Sequence, residues 1–483
     1  MATIEQGATD HAVEREALAW MEDPCAHFGY SVTRVHSVRR DHAAAVQLAG
    51  IKLRFEQRRQ QIKVLEKLAD AQGITSIPTL DHAAPLFMAH DVYKSYPVSL
   101  LAKQRFDQLC TWLSRLTHYD LSGVDAKGCQ TIDDWLVRLQ AETPLDVATS
   151  SGSTGTLSFF PKSKRDYGHM VEGMRVNLSH AFGSEPTNAD INSKIHAILP
   201  LHRDGHATAG RTSQYIRKIF CKDDEDYFHP AFNFKVSTDL LWLAGCLRAA
   251  AAKGDITRVD VPPALLARRA EYEANQKDMP AQQAAFVIAM IEKLRGERVL
   301  AMGLTNLFYG VAKRGLDEGL RASFAPGSRI MGGGGAKGMV LPEDAEQVIC
   351  DFFGIERMGS SYGMTEMNAM MIGCEHDHYH VQPWVAVYQL DPDSGRVLPR
   401  EGIQTGRAAF FDLTQDGTWG GIVTGDQITV NWDTPCSCGR TTVAIRKQIQ
   451  RLSELQGGTD KITCAAVPGA QAEAMDYLTT IEG

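Results

Sequence analysis

The stretch Thr149–Lys162 reads TSSGSTGTLSFFPK and has the composition of a phosphate-binding loop. Every position from 150 to 156 that is not glycine holds a hydroxyl residue, which is more than a simple turn requires. Backbone N–H groups and hydroxyls in such a loop can meet the negative charge of a phosphate. A Walker loop is excluded, because the second glycine of its pattern, counted from Gly152, would fall on Leu157. A turn without a ligand is the alternative interpretation.

Short apolar runs followed by glycine-rich turns recur after this stretch. Examples are SRIMGGGGAKG at 328–338 and IERMGSSYG at 355–363. A strand, a glycine turn and then a helix is the pattern of an α/β sheet with ligand loops at the carboxyl ends of its strands. The first 145 residues instead favour helices, since apolar residues of the segment 51–73 recur near a spacing of 3.6 and Gly73 supplies a stop. We therefore expect an α/β fold preceded by a helix-rich region.

The composition indicates a soluble globular protein. Of 483 residues, 44% are hydrophobic and 22% charged, which is ordinary for a chain that buries a large core. The net charge of −8, without a basic stripe, argues against a nucleic-acid partner. The longest apolar run, 240–252, is interrupted by Arg248 and is too short to span a membrane. An acidic N-terminus without an apolar segment, together with ten cysteines, predicts a cytoplasmic protein without a secretory signal.

One glycine-rich run also matches the dinucleotide-binding fingerprint G-x-G-x-x-G, at Gly333, Gly335 and Gly338. It follows a strand-like segment, and Glu356 lies near the distance expected of an acidic ribose ligand. A nicotinamide-dependent oxidoreductase is therefore a competing hypothesis. A single glycine fingerprint is a weak signal, and this hypothesis leaves the polar pair Thr365–Glu366 without a role.

Five motifs follow one another in a fixed order: SSGSTG at 150–155, ILPLH at 198–202, GGGGAKG at 332–338, YGMTE at 362–366 and TGD at 424–426. In their order and spacing they resemble the adenylate-forming superfamily of acyl and aryl ligases. The resemblance implies a core of sheets flanked by helices with a small β subdomain. It divides the chain into a helix-rich N-terminal region at 1–145, the adenylate-forming core at 146–455, and a hinge with a truncated C-terminal tail at 456–483.

The same resemblance assigns roles to single residues. Thr365 would bind an α-phosphate oxygen and Glu366 a Mg²⁺ ion, a cation that prefers oxygen ligands and phosphates. Asp426 would accept hydrogen bonds from the ribose hydroxyls. His202 would be catalytic, with a core histidine as an equal alternative. The other nucleotide-binding positions are Ser151, Gly152, Ser153, Thr154 and Gly155 in the phosphate loop, Gly334, Gly335 and Ala336 in the glycine loop, and Tyr362 and Gly363 beside the adenine.

The segment PCSCGRT at 435–441 resembles a branch of this superfamily that contains phenylacetate-CoA ligase and acyl-protein ligases. In that branch a Cys-x-Cys pair can join an upstream cysteine and histidine in a zinc site. The segment GCEHDHYHV at 373–381 supplies the upstream candidates, with His376 and His378 as spares. Such a set suits a closed tetrahedral structural zinc, and free thiols in turns are the alternative. The implied ligands are Cys374, His380, Cys436 and Cys438.

The sequence departs from the superfamily pattern at three places. The lysine expected directly after the phosphate loop is Ser158 here, and Lys162 lies four residues further on. The arginine expected in the hinge is Gly458, for which Arg446 or Arg451 is a candidate substitute. The chain also ends soon after this hinge, so the swinging lid of the family is expected to be naturally absent, supplied by a partner chain, or cut away.

The resemblance implies ATP-dependent activation of an aryl or acyl carboxylic acid to an acyl-adenylate, with release of pyrophosphate. ATP, Mg²⁺ and a structural Zn²⁺ are the implied cofactors. The acyl group would pass to CoA, a protein thiol or an amine, and Cys464 is a candidate thiol with a buried structural cysteine as the alternative. The aromatic-rich segments Tyr227–Phe234 and Gly303–Gly310 would line the acid pocket or belong to the core. A homo-oligomer, and a nucleotide-binding protein that has lost catalysis, are left open.

Overall fold

Helices form most of the first 145 residues. The computed structural model describes residues 2–151, 156–178, 193–252, 254, 259, 261–333 and 341–455, and of residues 2–9 and 151 it describes the main chain alone. Thr131 and Asp134 form a capping box, which is why a helix begins directly after Thr131. The helices of this region are α1 (Ala2–Glu22), α2 (Pro24–His27), α3 (Val32–His36), α4 (Arg40–Arg58), α5 (Lys63–Ala71), α6 (Ser99–Ala102), α7 (Phe106–Leu113) and α8 (Ile132–Glu142).

The segment 51–73, predicted as one helix, is divided between α4 and α5 by a turn at residues 59–62. The turn lets Ile62 become fully buried beside Leu65, so each helix buries its own apolar face. Gly73, with a φ of 64°, follows α5 and allows the left-handed backbone that ends it. The predicted stop is therefore observed, and the break is the part that periodicity did not reveal.

Helices of the remaining chain alternate with strands. Their connections place helices against the faces of a mostly parallel sheet, as expected where strand and helix alternate along a chain. These helices are α9 (Lys164–Leu178), α10 (Thr208–Ile219), α11 (Thr238–Ala251), α12 (Pro263–Ala267), α13 (Arg269–Glu292), α14 (Thr305–Asp317), α15 (Ala345–Phe353) and α16 (Leu452–Leu455).

The strands form a hairpin and two larger sheets. They are β1 (Met88–Ala89), β2 (Ala148–Ser151), β3 (Leu157–Phe160), β4 (His196–Gly205), β5 (Phe228–Val236), β6 (Val299–Leu304), β7 (Arg329–Gly333), β8 (Gly359–Tyr362), β9 (Met371–Ile372), β10 (His378–His380), β11 (Val385–Leu390), β12 (Ile403–Asp412), β13 (Gly421–Asn431), β14 (Ala444–Arg446) and β15 (Gln450–Arg451).

One sheet has the strand order β5-β4-β6-β7-β8-β9, and its strands are parallel except for the last pair. Because parallel strands share a direction, the carboxyl ends of β4, β7 and β8 lie at one edge. In the sequence, the glycine-rich runs noted above end or continue directly after β7 and β8. The expected ligand edge of an α/β sheet is therefore present.

The second sheet is mainly antiparallel and has the order β10-β14-β13-β12-β11. β13 also pairs with β15 and, in parallel, with β1 of the helix-rich region. The hairpin of β2 and β3 flanks the predicted phosphate loop, with Ser151 opposite Leu157. It is tied to the parallel sheet, because the Thr149 amide donates to the His206 carbonyl over 2.9 Å.

The predicted α/β class, with sheets flanked by helices, is confirmed by these two sheets and their helices. The boundaries at residues 145 and 455 stay predictions.

The helix-rich region docks on the second sheet through buried polar contacts of α4: Gln47 donates to the Pro383 carbonyl and Arg54 to the Leu413 carbonyl, each over 2.8 Å. Within the described residues, no helix combines the length and the apolar character that crossing a membrane requires.

Candidate active site

Tyr362 and Asp426 connect the two sheets. The Tyr362 hydroxyl, at the end of β8, donates a hydrogen bond to Oδ2 of Asp426 on β13 over 2.8 Å. Arg451 lies opposite Asp426 in the strand register, and its Nε is 3.0 Å from Oδ1. Burial raises the pKa of Asp426, while Arg451 and Tyr362 act in the opposite direction. Of the two arginines considered as hinge substitutes, Arg451 therefore reaches the predicted ribose aspartate, whereas Arg446 is exposed on β14.

Thr365 lies beside the beginning of α10. Its Oγ1 is 2.8 Å from Oγ1 of Thr208, the first residue of that helix. α10 follows β4 after two residues, so this contact joins two turns at the carboxyl edge of the parallel sheet. The N-terminal end of a helix is attractive to anions because its first N–H groups have no partner within the helix. The arrangement suits the α-phosphate role predicted for Thr365.

Glu366 is held by two contacts from distant segments. Its Oε1 accepts a hydrogen bond from Nδ1 of His90 over 2.7 Å. Its main-chain carbonyl accepts from Nε2 of Gln415 over 2.7 Å. The Glu366 side chain is only 12% exposed, whereas that of His90 is 39% exposed. The predicted Mg²⁺ ligand is thus a nearly buried carboxylate with a histidine partner.

A buried polar network fixes the chain directly after Glu366. Lys162 is 1% exposed, and its Nζ donates to the Met367 carbonyl over 2.8 Å and to Oδ1 of Asn368 over 2.7 Å. The Asn368 side chain in turn donates through Nδ2 to Asp166, and the Asn368 main-chain N–H donates to Asp412. Burial lowers the pKa of Lys162, and the two aspartates oppose that shift. Lys162 therefore holds the main chain behind the YGMTE segment in the structure.

His202 is buried on β4 between aromatic rings. Its ring centroid lies 5.1 Å from that of Phe232 and 5.0 Å from that of Phe234. Both phenylalanines belong to the aromatic-rich segment 227–234, and both lie on β5. This environment matches the core-histidine alternative, and the catalytic role of His202 stays a prediction.

Several predicted residues lie outside the described part of the chain. Ser151 is described only as the last main-chain position of β2, and Gly363 follows β8 directly. Gly333, the first glycine of the dinucleotide fingerprint, ends β7. The predictions outside the described residues are those for Gly152, Ser153, Thr154, Gly155, Gly334, Gly335, Ala336, Gly338, Gly458 and Cys464.

The four predicted zinc ligands come together in one cluster. Their ligand atoms all lie within 4.8 Å of one another, with 3.8 Å between Sγ of Cys374 and Cys436 and 3.2 Å between Sγ of Cys438 and Nε2 of His380. Zinc with Zn–S bonds of about 2.3 Å in a tetrahedron requires S–S separations of about 3.8 Å. The donor set and its spacing therefore fit a tetrahedral zinc ion. Of the spare candidates, His378 lies 3.7 Å from Cys436, and His376 pairs with an exposed glutamate.

The protonation of this cluster depends on burial. Burial, with His36 and Arg440 nearby, lowers the pKa of His380 to about 2, so its imidazole is neutral, the form that binds a metal. Burial also raises the pKa of Cys436 to about 12. A bound cation reverses that effect, because a coordinating thiol loses its proton. The histidine is thus ready to bind, and the thiol needs the ion itself.

A cavity of about 680 Å³ lies between α8, the end of β5 and α13. Beside it, the buried Asp239 and the partly buried Asp133 each accept hydrogen bonds at the start of a helix. Asp239 accepts from the Ile132 amide over 2.8 Å, and Asp133 accepts from the Thr238 amide over 3.1 Å. Burial raises the pKa of both carboxyls. Each acid thus accepts from the first turn of the helix that contains the other, which accounts for their position without a ligand.

Sequence reasoning missed three polar residues of the candidate site. His90, Thr208 and Gln415 contact the YGMTE segment from positions 49 to 276 residues away in sequence. A pattern along the chain cannot reveal such partners, because none belongs to a motif. The only local signal is that His90 and Thr208 directly follow, or nearly follow, the end of a strand.

Comparison with known proteins gives matches among solved structures alone. No protein-family model matches the chain, and no curated protein does. An open conformation of 2-hydroxyisobutyryl-CoA ligase in complex with 2-HIB-AMP and CoA has 12% identity and a TM-score of 0.48, covering 86% of this chain and 71% of that one. The same ligase in its thioesterification state has 12% identity and a TM-score of 0.49, covering 87% and 70%.

A further similar structure is ATP-bound MatB from Rhodopseudomonas palustris, with 14% identity and a TM-score of 0.33 over 62% of this chain and 48% of that one. All three structures share little sequence with this chain, and each has a TM-score below 0.5. Their identities and TM-scores are too low to support a conclusion about activity or substrate.

Proposed function

We propose that this chain activates a carboxylic acid with ATP, forming an acyl-adenylate and releasing pyrophosphate. The observation that supports the proposal is the convergence of two separate motifs: Tyr362 and Asp426, 64 residues apart, share a hydrogen bond of 2.8 Å. Thr365 and Glu366 follow Tyr362 at the same edge of the sheet. A scaffold without a nucleotide gives no reason for an acid, a hydroxyl and an aspartate with a paired arginine to meet there.

The chemistry of adenylation matches these residues. Attack of a carboxylate on the α-phosphate concentrates negative charge on its oxygens, and donors already in position lower that barrier. The Thr365 hydroxyl, beside the N-terminal end of α10, would donate to an α-phosphate oxygen. Asp426, whose charged form Arg451 favours, would accept hydrogen bonds from the ribose hydroxyls.

Glu366 fits the role of a Mg²⁺ ligand. His90 engages Oε1, and Oε2 has no hydrogen-bond partner among the described residues. Mg²⁺ binds through one or two carboxylates together with phosphates and waters, so a single carboxylate is sufficient. The ion, when bound, would neutralise charge on the phosphates.

We also propose that the cluster of Cys374, His380, Cys436 and Cys438 holds one structural zinc ion. Four protein ligands leave no open position for a substrate, which is typical of structural rather than catalytic zinc.

In the second step of the proposed reaction, the acyl-adenylate reacts with CoA, a protein thiol or an amine. Each of these is a nucleophile that attacks the acyl carbonyl and displaces AMP.

The test is acid-dependent ATP–pyrophosphate exchange with Mg²⁺, run without CoA against a panel of aryl and fatty acids. Exchange is expected with at least one acid class and is expected to fall by 100-fold or more in Glu366→Ala, a loss of about 2.7 kcal/mol of transition-state stabilisation. Glu401→Ala, an exposed acid outside the site, is the matched control and keeps wild-type exchange.

Two other results would replace this proposal. ATP binding without exchange for any acid indicates a nucleotide-binding protein that has lost catalysis. Hydride transfer with a nicotinamide cofactor, and no exchange, indicates the oxidoreductase hypothesis. Once an acid is identified, product analysis with CoA, a thiol and an amine decides the acceptor.

A further inference from the structure

We propose that His90 is a positioning residue that orients the Glu366 carboxylate toward a nucleotide-bound Mg²⁺ ion, an inference that rests on the proposed function. No motif includes His90, and it comes from the helix-rich region rather than the core. It nevertheless donates through Nδ1 to Oε1 of Glu366 over 2.7 Å.

The position of His90 is determined by strand pairing. β1 ends at Ala89 and pairs in parallel with Ile422–Val423 of β13, only a few residues before Asp426. On its other side, the His90 ring centroid lies 6.2 Å from that of Phe160 on β3, the strand that follows the phosphate-loop segment. His90 therefore lies where β13, the hairpin of β2 and β3, and Glu366 come together.

The main chain at Glu366 is fixed without His90. Gln415 donates to the Glu366 carbonyl over 2.7 Å, and Lys162 donates to the Met367 carbonyl over 2.8 Å. What these contacts leave free is the rotation of the Glu366 side chain. His90 is the residue that fixes it, in the way that partners of metal ligands generally set the orientation of the ligand.

A purely stabilising role does not explain the pair. The His90 side chain is 39% exposed, and an ion pair or hydrogen bond with one member so exposed contributes little to folding. A partly exposed histidine whose Nδ1 donates to a nearly buried carboxylate instead suits a role in orienting that carboxylate. The expected consequence of its loss is a weaker response to Mg²⁺, with little change in fold stability.

The hydrogen-bonding atom allows a sharp choice of variants. In His90→Asn the amide nitrogen lies near the position of Nδ1, so it can still donate to Glu366. In His90→Gln the amide lies near the position of Nε2 instead, and the contact is lost. His82→Gln is the matched control, because His82 is an exposed histidine of the same region that contacts Thr79.

The experiment measures ATP binding to the full chain by calorimetry, with and without Mg²⁺ and without any acid. We expect Mg²⁺ to tighten ATP binding in the wild type. His90→Ala and His90→Gln should lose about 10-fold or more of that tightening, the usual effect of removing a partner of a metal ligand. His90→Asn should stay within about 3-fold of the wild type, and the control should match it.

An unchanged Mg²⁺ response in His90→Ala overturns the inference. So does an equal loss of ATP affinity with and without Mg²⁺, which indicates a structural role. If His90→Ala does not fold, the comparison of His90→Asn with His90→Gln decides, and equal behaviour of those two overturns the inference. Failure of the wild type to bind ATP overturns both proposals, whereas Mg²⁺-dependent binding without exchange overturns the proposed function alone and leaves His90 to the binding comparison.

Discussion

Among single residues, Asp426 shows how two partners offset the effect of burial on the pKa of a carboxyl group. Burial raises the pKa of this carboxyl, and the Arg451 guanidinium and the Tyr362 hydroxyl both favour the charged form. The two partners lie on β15 and β8, which belong to different sheets. The pKa of Asp426 therefore depends on contact between the two sheets. Loss of either partner leaves a carboxylate in a site from which water is largely removed.

Tyr362→Phe tests this dependence. The variant keeps the ring but removes the donor to Asp426, and a hydrogen bond to a buried charged group is worth about 1.5–3 kcal/mol. We expect a lower urea midpoint and weaker ATP binding. Tyr30→Phe, which removes a hydroxyl from a partly exposed tyrosine between α2 and α3, is the control and should leave both unchanged. Equal behaviour of the two variants would contradict the role of the Tyr362 hydroxyl.

Motif-borne residues and their partners differ in how well sequence reveals them. Cys374, His380, Cys436 and Cys438 were predicted as one set because their segments resemble one branch of the superfamily, and the structure brings them together. His90 gave no such signal, since its role depends on a contact across 276 residues. Periodicity and composition do not encode contacts of that kind.

Among the secondary-structure elements, α10 packs closely on β4, and this packing positions Thr208. Gly210 is the contact point, because a Cβ there would lie 2.6 Å from the Gly205 nitrogen and 2.9 Å from the Asp204 carbonyl carbon. These are main-chain atoms, so a larger residue must push the helix away from the strand. The hydrogen bond between Thr208 and Thr365 would move with the helix.

Gly210→Ala is therefore expected to lower the free energy of unfolding by about 1–3 kcal/mol, the usual range for overpacking. It should also reduce ATP–pyrophosphate exchange, because Thr365 loses its partner. Gly168→Ala is the matched helical control, with open space around the added methyl, and should stabilise by up to about 1 kcal/mol. Urea unfolding of both variants checks this, and a Gly210→Ala chain as stable as the wild type would show that α10 is loosely packed.

Acid sensitivity is expected where β4 and β5 pair. Nδ1 of His196 lies 3.1 Å from Nε2 of His229, and burial, with His196 and Lys293 nearby, lowers the pKa of His229 from 6.5 to about 4. Below pH 6.5 the unfolded chain takes up the proton first, so stability present above pH 6.5 is lost as the pH falls toward 4. The limit is about 1.4 kcal/mol per pH unit, and partial exposure of His229 reduces the total to about 1–2 kcal/mol.

His229→Gln should consequently lose less stability than the wild type between pH 6.5 and pH 4.5. Urea unfolding across that range measures the difference. His82→Gln, at an exposed histidine, should follow the wild-type curve. Parallel curves for wild type and His229→Gln would mean that this pair is hydrated and contributes nothing to acid sensitivity.

The cysteine–histidine cluster links the helix-rich region to the rest of the whole molecule. The Thr441 amide, three residues after Cys438, donates to the His36 carbonyl over 2.9 Å, and Arg40 donates through Nε to the Thr441 carbonyl over 3.1 Å. The His36 ring lies 5.6 Å from that of His380. Order in the 436–441 turn and order at the start of α4 therefore depend on each other.

Zinc removal should loosen both segments together. We expect one zinc per chain by elemental analysis, none in Cys436→Ser with Cys438→Ser, and an unchanged content in Cys246→Ser, a cysteine outside the cluster. In hydrogen exchange, the doubly substituted chain should lose protection at 36–42 as well as at 436–446, because a structural zinc contributes directly to folding. Loss of protection at 436–446 alone would show that the helix-rich region docks independently.

The fold class and the positions of the motifs could be predicted from the amino-acid sequence. Glycine turns after apolar runs, a Cys-x-Cys pair and the YGMTE pentad are local signals, because they reflect backbone conformation and ligand spacing over a few residues. Such signals also indicated the end of α5 at Gly73 and the cluster ligands.

Which distant groups contact each motif depends on how the elements pack, and the sequence did not reveal it. Strand order brought Arg451 to Asp426, the parallel pairing of β1 brought His90 to Glu366, and burial committed Lys162 to the chain behind that acid. These contacts join residues separated by tens to hundreds of positions. Their geometry follows from how sheets and helices pack, and close packing is a property of the whole chain that no segment contains.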